Sequence, residues 1–432
     1  MTRRSAVARA GGLLVACVLA GETAAAQLEP ETDPARVVIP RVQWLLDAEG
    51  ERNFELERDG VESAYEIEPA LRLSATIAPG RRLWGYVETE WLRTIERESG
   101  EPTEYRTLLR LNQAYAGIDG WLPDTRLRLG RWLLRDEREW LFDENFDGVH
   151  ARYEHERWQA DALLARVNHW QRDLLDSRTR DRALNHTGLI VRRDVGDDAI
   201  VGTYAVDVRR PGDDRTRRTL IGVRAHADPD KGMRHWVDLG VARGNERGKS
   251  LRGRVVDAGI TLPFEQWALR PRLTLGYAMA SGDDRSDDRV DRGYRQTGVQ
   301  SNEGTFGGLA KFRLYGETLD PELHNLHVVT LGVGLAASER VSVDAVFHGY
   351  RQDATGRVRA MNIDPDHDRR STRTIGQALD LVVGWRPSRR WRIEFAAGWF
   401  RPSMRFAELD AQGSPHRSAD AWSLRFEVDF RY

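Results

Sequence analysis

Lysine, cysteine and long hydrophobic runs are scarce in this 432-residue sequence. Of 65 basic residues only Lys231, Lys249 and Lys311 are lysines, and the single cysteine is Cys17, which excludes a disulfide framework. After residue 26 no apolar run approaches the roughly 20 residues that a membrane-spanning helix needs. A helical membrane protein is therefore excluded, whereas a β-barrel stays open because half of each barrel strand is polar.

The charges nearly cancel, with 65 Lys and Arg against 67 Asp and Glu and a formal net charge of -2. This balance gives no bulk attraction to nucleic acid or to acidic lipid. Almost every cation is a guanidinium, which suits paired hydrogen bonds to a carboxylate. A genome rich in GC would produce the same skew toward arginine, so both explanations stay open.

The amino terminus has the pattern of a secretory signal peptide. Three arginines without an acid precede an apolar stretch, and the alanines at 24–26 suit cleavage before Gln27. We expect a leader at residues 1–26 and one transmembrane β-barrel at 27–432, with long extracellular loops. Cys17 lies inside this leader, so the mature chain would have no thiol. The four residues ending in that cysteine also resemble a lipoprotein processing site, which is the alternative interpretation.

Apolar and polar side chains alternate strictly at the end of the chain. One face comprises Trp422, Leu424, Phe426, Val428, Phe430 and Tyr432, and the other comprises Ser423, Arg425, Glu427, Asp429 and Arg431. A period of two predicts a strand. In a soluble protein the apolar face would be core, whereas in an outer-membrane barrel it would meet lipid and the charged face would line the lumen.

The same alternation recurs upstream, for example at 267–277 and 379–399. Long polar stretches, such as 281–304 and 351–375, contrast with short turns elsewhere, as in an outer-membrane barrel. Tryptophans recur at predicted strand ends, as interfacial girdles require: Trp91, Trp121, Trp267, Trp385, Trp391 and Trp422. A secreted β-sandwich is the alternative, but it would need several domains, and no linker divides the chain.

Nineteen segments have the pattern of a strand. With both ends of the chain in the periplasm the number of strands must be even, so we predict an all-β fold with one antiparallel barrel of 18 strands. A barrel of 16 to 18 strands is wide enough for an aqueous channel.

Several short stretches resemble the alginate-export outer-membrane channel family. They are residues 127–131, 136–145, 147–149, 276–278, 281–283, 294–298, 302–304, 306–308, 315–317, 319–323, 325–327 and 398–402. The resemblance implies an 18-stranded barrel whose lumen is lined by arginines that draw a polyuronate through, with carboxylates between them. The resemblance supports the fold more strongly than it supports the identity of the substrate.

Candidate lumenal residues follow from the resemblance and from the alternation. By motif, the resemblance assigns Arg131, Arg295 and Arg401 to a cationic constriction. Further candidates for binding anions are Arg128, Arg272, Arg392 and Arg425. The candidate lumenal carboxylates, which would pair with arginines and weaken each anion site, are Asp344, Asp380, Glu394, Glu427 and Asp429. For most of these charges, salt bridges that only stiffen the wall are the alternative role.

Arg131 poses a problem of parity. Leu127 and Leu129 point outward on a period of two, which would send Arg131 outward too. Its lumenal assignment therefore requires the strand to end or bulge after Gly130, and we predict that it does.

Other chemistry has little support in the sequence. Asp283 and Asp287 lie in an acidic stretch that could hold Ca²⁺, but the spacing matches no calcium loop and a solvated external loop explains it as well. No His-Glu-x-x-His, Gly-x-Ser-x-Gly or phosphate-loop pattern occurs, so we expect neither an enzyme nor a cofactor.

The sequence thus predicts an integral outer-membrane channel for passive export of an anionic uronate polysaccharide, most plausibly alginate. A general anion-selective or small-substrate porin of the same fold is the first alternative, and a barrel enzyme or a plugged structural barrel are others. Outer-membrane lipid and periplasmic components of a polymer secretion complex are the implied partners, and nucleic acid is not.

Overall fold

The structure is a computed structural model that describes residues 38–432, except for a few short gaps. The gaps are residues 59–60, 79, 81, 171, 177–182, 213–215, 230, 286–287, 366, 371 and 410–413. The predicted leader and Asp287 lie outside the described residues. No helix in the described part of the chain is long and apolar enough to cross a membrane.

Eighteen antiparallel strands form one closed barrel, which confirms the predicted fold class. The strands are β1 (Val38–Arg52), β2 (Ser63–Ile77), β3 (Leu83–Glu98), β4 (Glu104–Asp119), β5 (Thr125–Arg135), β6 (Asp143–His155), β7 (Trp158–Val167), β8 (Leu184–Asp194), β9 (Ala199–Arg209), β10 (Arg217–Ala227), β11 (Arg234–Glu246), β12 (Lys249–Pro263), β13 (Arg272–Ala280), β14 (Leu326–Ser338), β15 (Val341–Arg351), β16 (Thr374–Ser388), β17 (Trp391–Pro402) and β18 (Ala421–Arg431). Each strand pairs with the next one in the chain. Asp47 of β1 lies opposite Glu427 of β18, and this pairing closes the barrel.

The two ends of the barrel differ in their connections. The end that carries the connections 281–325, 352–373 and 403–420 is called the long-loop end here. The opposite end, called the short-turn end, has connections no longer than 264–271. This is the asymmetry that the sequence predicts.

The barrel is apolar outside and charged inside, the reverse of a soluble protein. Leu73, Val223 and Leu381 expose 44–52% of their surface on the outer face. The predicted girdle tryptophans are likewise 38–61% exposed. Inward side chains of the same strands are mostly polar and buried, as for Arg72 on β2 and Asp380 on β16. The apolar positions of the alternating sequence therefore form the outer face of the barrel, which is the face that contacts lipid in a membrane barrel.

Residues 281–325, called the lumenal loop, fold back into the barrel. Within it, Glu303–Gly304 pairs with Phe312–Arg313 as a short hairpin. Phe306 stacks on Trp236 of β11 at 5.4 Å between ring centroids. Full burial of each such side chain contributes about 1.5–3 kcal/mol, so the apolar contacts hold the loop in place.

Glycines on the inner wall leave room for this loop. A Cβ at Gly384 of β16 would lie 2.6 Å from the amide nitrogen of Ala310. A Cβ at Gly398 of β17 would lie 2.4 Å from Oγ1 of Thr318. Side chains there would displace the loop, so the strands are shaped for the segment that they enclose.

Candidate functional site

A second loop, residues 136–142 between β5 and β6, meets the lumenal loop inside the barrel. Arg138 and Glu139 both have positive φ, at 61° and 48°. Such a conformation costs a residue with a side chain about 1–3 kcal/mol and persists only where its surroundings hold it. The strain aims Arg138 at the wall and Glu139 at the lumenal loop.

Trp140 anchors this junction. Its Nε1 donates to the Tyr315 hydroxyl at 3.1 Å, and that hydroxyl donates to Asp257 of β12 at 2.8 Å. Arg138 also binds Asp257, at 2.8 Å, and its guanidinium lies 4.2 Å from the centroid of the Trp236 ring. Two loops and two strands thus share one buried carboxylate.

Glu139 links the two loops by charge. Lys311 Nζ of the lumenal loop lies 2.6 Å from its carboxylate, Arg135 lies at 3.5 Å, and Ser301 donates a hydrogen bond. Burial alone would raise the pKa of Glu139, but Lys311 and Arg135 outweigh it and lower the pKa to about 2. The carboxylate is therefore ionised at any physiological pH.

The lumenal loop reaches the far wall through two arginines. Arg313 of the loop lies 2.8 Å from Glu49 of β1. Arg425 of β18 lies 2.5 Å from Glu303 and 3.0 Å from Glu317 of the loop. The loop therefore crosses the lumen from β12 to the seam between β18 and β1, and narrows it.

Inward arginines ring the short-turn end. Each is on the inner face and within five residues of the end of its strand. This arginine ring consists of Arg72, Arg126, Arg128, Arg152, Arg192, Arg224, Arg234, Arg272, Arg386 and Arg392. Arg126 lies directly opposite Arg152 in the β5–β6 ladder. Like charges facing each other across strands repel, so an anion between them would be stabilising.

Most of the ring is moderated by carboxylates. Arg126 pairs with Asp119 at 2.9 Å and keeps 25% of its side chain exposed. Arg152 pairs with Asp161 at 2.7 Å. Arg128 lies under two aromatic rings, with its guanidinium 5.9 Å and 5.7 Å from the ring centroids of Trp84 and Tyr115. The ring is a set of partly compensated cations rather than a uniform positive surface.

A row of carboxylates crosses the seam between the last and first strands. Glu394, Glu427, Asp47 and Glu68 lie directly opposite one another on β17, β18, β1 and β2. Glu394 binds Arg386 at 2.8 Å and Glu68 accepts from Thr94 at 2.6 Å. This acidic row concentrates carboxylates at the seam, where Arg392 and Arg425 lie within 4 Å of Glu427.

Most residues predicted for the lumen do lie on the inner wall. Arg128, Arg272, Arg392 and Arg425 are all buried there. So are four of the carboxylates, Asp344, Asp380, Glu394 and Asp429, while Glu427 is half-buried in the acidic row. The predicted pairing with arginine occurs in Asp344, 2.9 Å from Arg272. Asp380 instead lies 3.3 Å from His348.

Arg131 is not lumenal. The β5–β6 register runs unbroken from 125 to 135, so the predicted bulge after Gly130 is wrong for this ladder. Arg131 stays on the face of Leu129, buried and bonded to Asp147 at 2.6 Å and to the carbonyl oxygen of Trp170. The β4–β5 ladder ends at Arg131, and residues 172–174 pair with β4 above it. A connecting segment thus covers a structural ion pair at the rim.

Arg401 is also misplaced by the sequence prediction. It is exposed on the outer face of β17, because the alternation that places Phe400 inside continues to the end of the strand. Arg295 lies in the lumenal loop, half-buried and 3.1 Å from Asp291. Its position in the loop is compatible with the predicted role, which remains a prediction.

The described residues show no arrangement of ligands that would support the calcium site. Asp283 lies 3.4 Å from Arg292, and Asp287 is outside the described residues. Across the described ranges, no group of three acidic or histidine side chains is arranged to hold a metal ion.

Sequence reasoning missed the residues that dock the lumenal loop. Glu139, Lys311, Arg313 and Tyr315 lie in stretches without period, which give no sign of what they contact. For Arg126, Arg152, Arg192 and Arg224 a signal existed, because each keeps the inward parity of its strand near a short turn.

An 18-stranded closed barrel with an apolar exterior, a charged interior and a loop across its lumen is an outer-membrane channel of the porin type. The chain belongs to the alginate export family, whose model, described as "Alginate export", matches residues 47–412. This match confirms the resemblance found in the sequence. A curated relative, the alginate production protein AlgE of Azotobacter vinelandii, is 29% identical over 136 residues. That alignment covers 30% of this chain and 27% of the relative.

Solved structures with similar folds are outer-membrane proteins. Acinetobacter baumannii OccAB3 has a TM-score of 0.58 at 10% identity, covering 91% of this chain and 99% of its own. The outer membrane protein OpdK of Pseudomonas aeruginosa has a TM-score of 0.55 at 11% identity, covering 91% and 98%. At these identities the likeness shows the fold alone. Family and fold are those of transport channels, and they point to the outer membrane. In outer-membrane barrels the short turns are as a rule periplasmic, so we expect the short-turn end to face the periplasm.

Proposed function

We propose that the chain is a passive channel through which an anionic uronate polysaccharide, most plausibly alginate, leaves the periplasm. The observation that carries this proposal is the arginine ring at the periplasmic end, in a chain of the alginate export family. An exported polymer meets this end first. Cations there would raise the local concentration of anion and guide it into the lumen.

The chemistry of the ring suits a polyuronate. Such a polymer presents one carboxylate per sugar, and a guanidinium binds a carboxylate through two parallel hydrogen bonds. The paired carboxylates keep each well shallow, which conduction requires. The acidic row would repel the polymer, so we place its path along β5 and β6, past Arg126, Arg128 and Arg152.

Direction would come from outside the channel. The described residues hold no nucleotide-binding loop that could couple energy, so polymer synthesis behind the barrel would drive export. Periplasmic components of a secretion complex would then deliver the chain to the arginine ring. We also propose that residues 1–26 are removed on the way to the outer membrane.

A second candidate is a porin for small anions. The lumenal loop favours it, because a segment that crosses from Tyr315 at β12 to Arg313 at β1 narrows the passage. A polymer could pass only if the lumenal loop moved aside, whereas a small anion could pass with the loop in place.

The test is block of single-channel current in planar bilayers by oligouronates added to the periplasmic side. We expect concentration-dependent block of the wild-type channel by oligomannuronate or oligoguluronate, and none by neutral oligosaccharides of equal length. The double variant Arg126→Gln/Arg128→Gln should need about tenfold more oligouronate for half block, since two water-screened contacts of about 0.7 kcal/mol each are lost.

Arg401→Gln is the matched control, because it removes an arginine from the outer wall and should leave block unchanged. If oligouronates fail to block wherever neutral sugars fail, the polymer proposal is wrong. If monomeric uronate and chloride pass with anion preference in the same channel, the small-anion porin is the function.

A further inference from the structure

Five arginines cluster on the outer face of the barrel at its long-loop end. This outer arginine patch consists of Arg209, Arg217, Arg243, Arg252 and Arg254 on β9 to β12, and all five are exposed. Arg209 lies opposite Arg217 across β9 and β10, and Arg243 lies opposite Arg252 across β11 and β12. The patch cannot serve the lumen, because the barrel wall separates the two.

The patch begins where the apolar outer belt ends. Below it, Ile221 and Val223 on β10 and Leu239 on β11 are 42–52% exposed. On β11 the next outward positions are Val241 and then Arg243. The change from apolar to cationic within one outward position marks the boundary between acyl chains and headgroups.

Only part of this charge is compensated within the protein. Asp207 binds Arg209 at 2.5 Å and Arg217 at 2.6 Å. Arg243 donates to the carbonyl oxygen of Ala242 at 3.1 Å. Among the described residues no carboxylate lies within 4 Å of Arg243 or Arg252.

The charge of Arg254 affects the pKa of Asp353 in the neighbouring loop 352–373. Partial burial opposes the shift, but hydrogen bonds from Gly282 N and His327, together with the charge of Arg254, lower the pKa of Asp353. Even with Asp207 and Asp353 counted, cations exceed anions in the patch. Two guanidiniums, those of Arg243 and Arg252, face each other across the ladder without a counter-ion, which is destabilising unless an anion lies between them.

We propose that the outer arginine patch binds the phosphate groups of a phosphorylated glycolipid in the outer leaflet. Guanidiniums hold phosphate through paired hydrogen bonds, which an ammonium cannot do. The apolar belt directly below supplies the surface for acyl chains. A free phosphate would not use that belt, so the ligand is the lipid.

The experiment uses the full-length chain, refolded in detergent and titrated with bis-phosphorylated lipid A under native mass spectrometry. We expect saturable binding that weakens about tenfold or more with fully dephosphorylated lipid A. The double variant Arg243→Gln/Arg252→Gln should show a similar loss. The matched double variant Arg97→Gln/Arg401→Gln, which removes two exposed outward arginines on β3 and β17, should bind as the wild type does.

Three outcomes would overturn the proposal. They are equal affinity for phosphorylated and dephosphorylated lipid, unchanged binding by Arg243→Gln/Arg252→Gln, or displacement of the lipid by low millimolar inorganic phosphate, which would indicate a site for free anion. Heat-modifiable mobility on gels shows whether each variant is folded. If the double variant does not fold, the comparison of the two lipids on the wild-type chain still decides.

Discussion

Arg313, in the loop that crosses the lumen, lies 2.8 Å from Glu49 on the first strand, and both side chains are less than a tenth exposed. Arg313 also lies 3.4 Å from Asp320 and donates to the carbonyl oxygen of Glu317. One guanidinium therefore fastens the tip of the lumenal loop to the far wall of the barrel. We therefore expect the width of the passage to depend on this contact.

Replacing Arg313 by Gln should loosen the lumenal loop. Loss of one partner from a buried ion pair costs about 3–5 kcal/mol, because Glu49 is left without its counter-ion. We expect larger and noisier single-channel currents from a barrel that still folds. Arg285→Gln, at an exposed position of the same loop, is the control and should change neither. Identical currents in wild type and Arg313→Gln would show that the loop does not limit conduction.

Gly384→Ala should push the loop away from the wall. The new Cβ would lie 2.6 Å from Ala310 N and 2.8 Å from the Leu309 side chain, and overpacking of this kind costs about 1–3 kcal/mol. Faster proteolysis of the lumenal loop in the folded barrel is the expected result. Gly349→Ala offers a control, because its nearest neighbour would be 3.9 Å away in the Phe347 ring. Equal proteolysis of both variants would mean that Gly384 has no such role.

Acid should release the junction between the two inward loops. Because Lys311 and Arg135 lower the pKa of Glu139 from its usual 4.5 to about 2, its contribution to docking is complete above pH 4.5. That contribution is lost as the pH falls from 4.5 toward 2. Current noise recorded from pH 7 to pH 3 should rise in this window. Glu139→Gln should be noisy throughout and respond less to acid, so a profile like that of the wild type would contradict the assignment.

Leu381→Arg tests the lipid-facing belt. Leu381 lies halfway along β16 and is 44% exposed, so an arginine there should destabilise the barrel by about 2–4 kcal/mol, the cost of this charge at the bilayer midplane. The measurement is urea-dependent folding into lipid vesicles. Leu122→Arg, in the turn after β4, should cost little. A small and equal cost for both variants would place Leu381 outside the hydrocarbon region.

The strands, the closed barrel and the apolar or charged character of each strand face were predictable from the sequence. Lipid outside and charge inside impose a strict period of two. The final strand shows this, with Trp422 outward and Arg425 inward. The error at Arg401 came from preferring a motif to that period, which would have placed it outside. Arg131 lies on the same face as Leu129, because the bulge that its lumenal assignment required does not occur in the β5–β6 ladder.

The interior arrangement was not predictable. The lumenal loop has no period, and its contacts join residues far apart in the chain, such as Lys311 with Glu139. The strands themselves contain one indication that a segment fills the lumen. Glycines at inward positions, such as Gly384 and Gly398, indicate that something packs against the wall there, but they do not say which segment does.

The first and last strands are neighbours, with Trp44 beside Phe430, so the barrel closes through segments at opposite ends of the described chain. A chain without residues 421–431 would form a sheet with two unpaired edges, and such edges pair readily with other copies. Closure therefore requires the strand Ala421–Arg431, and until it pairs with the first strand both edges of the sheet stay open to other chains.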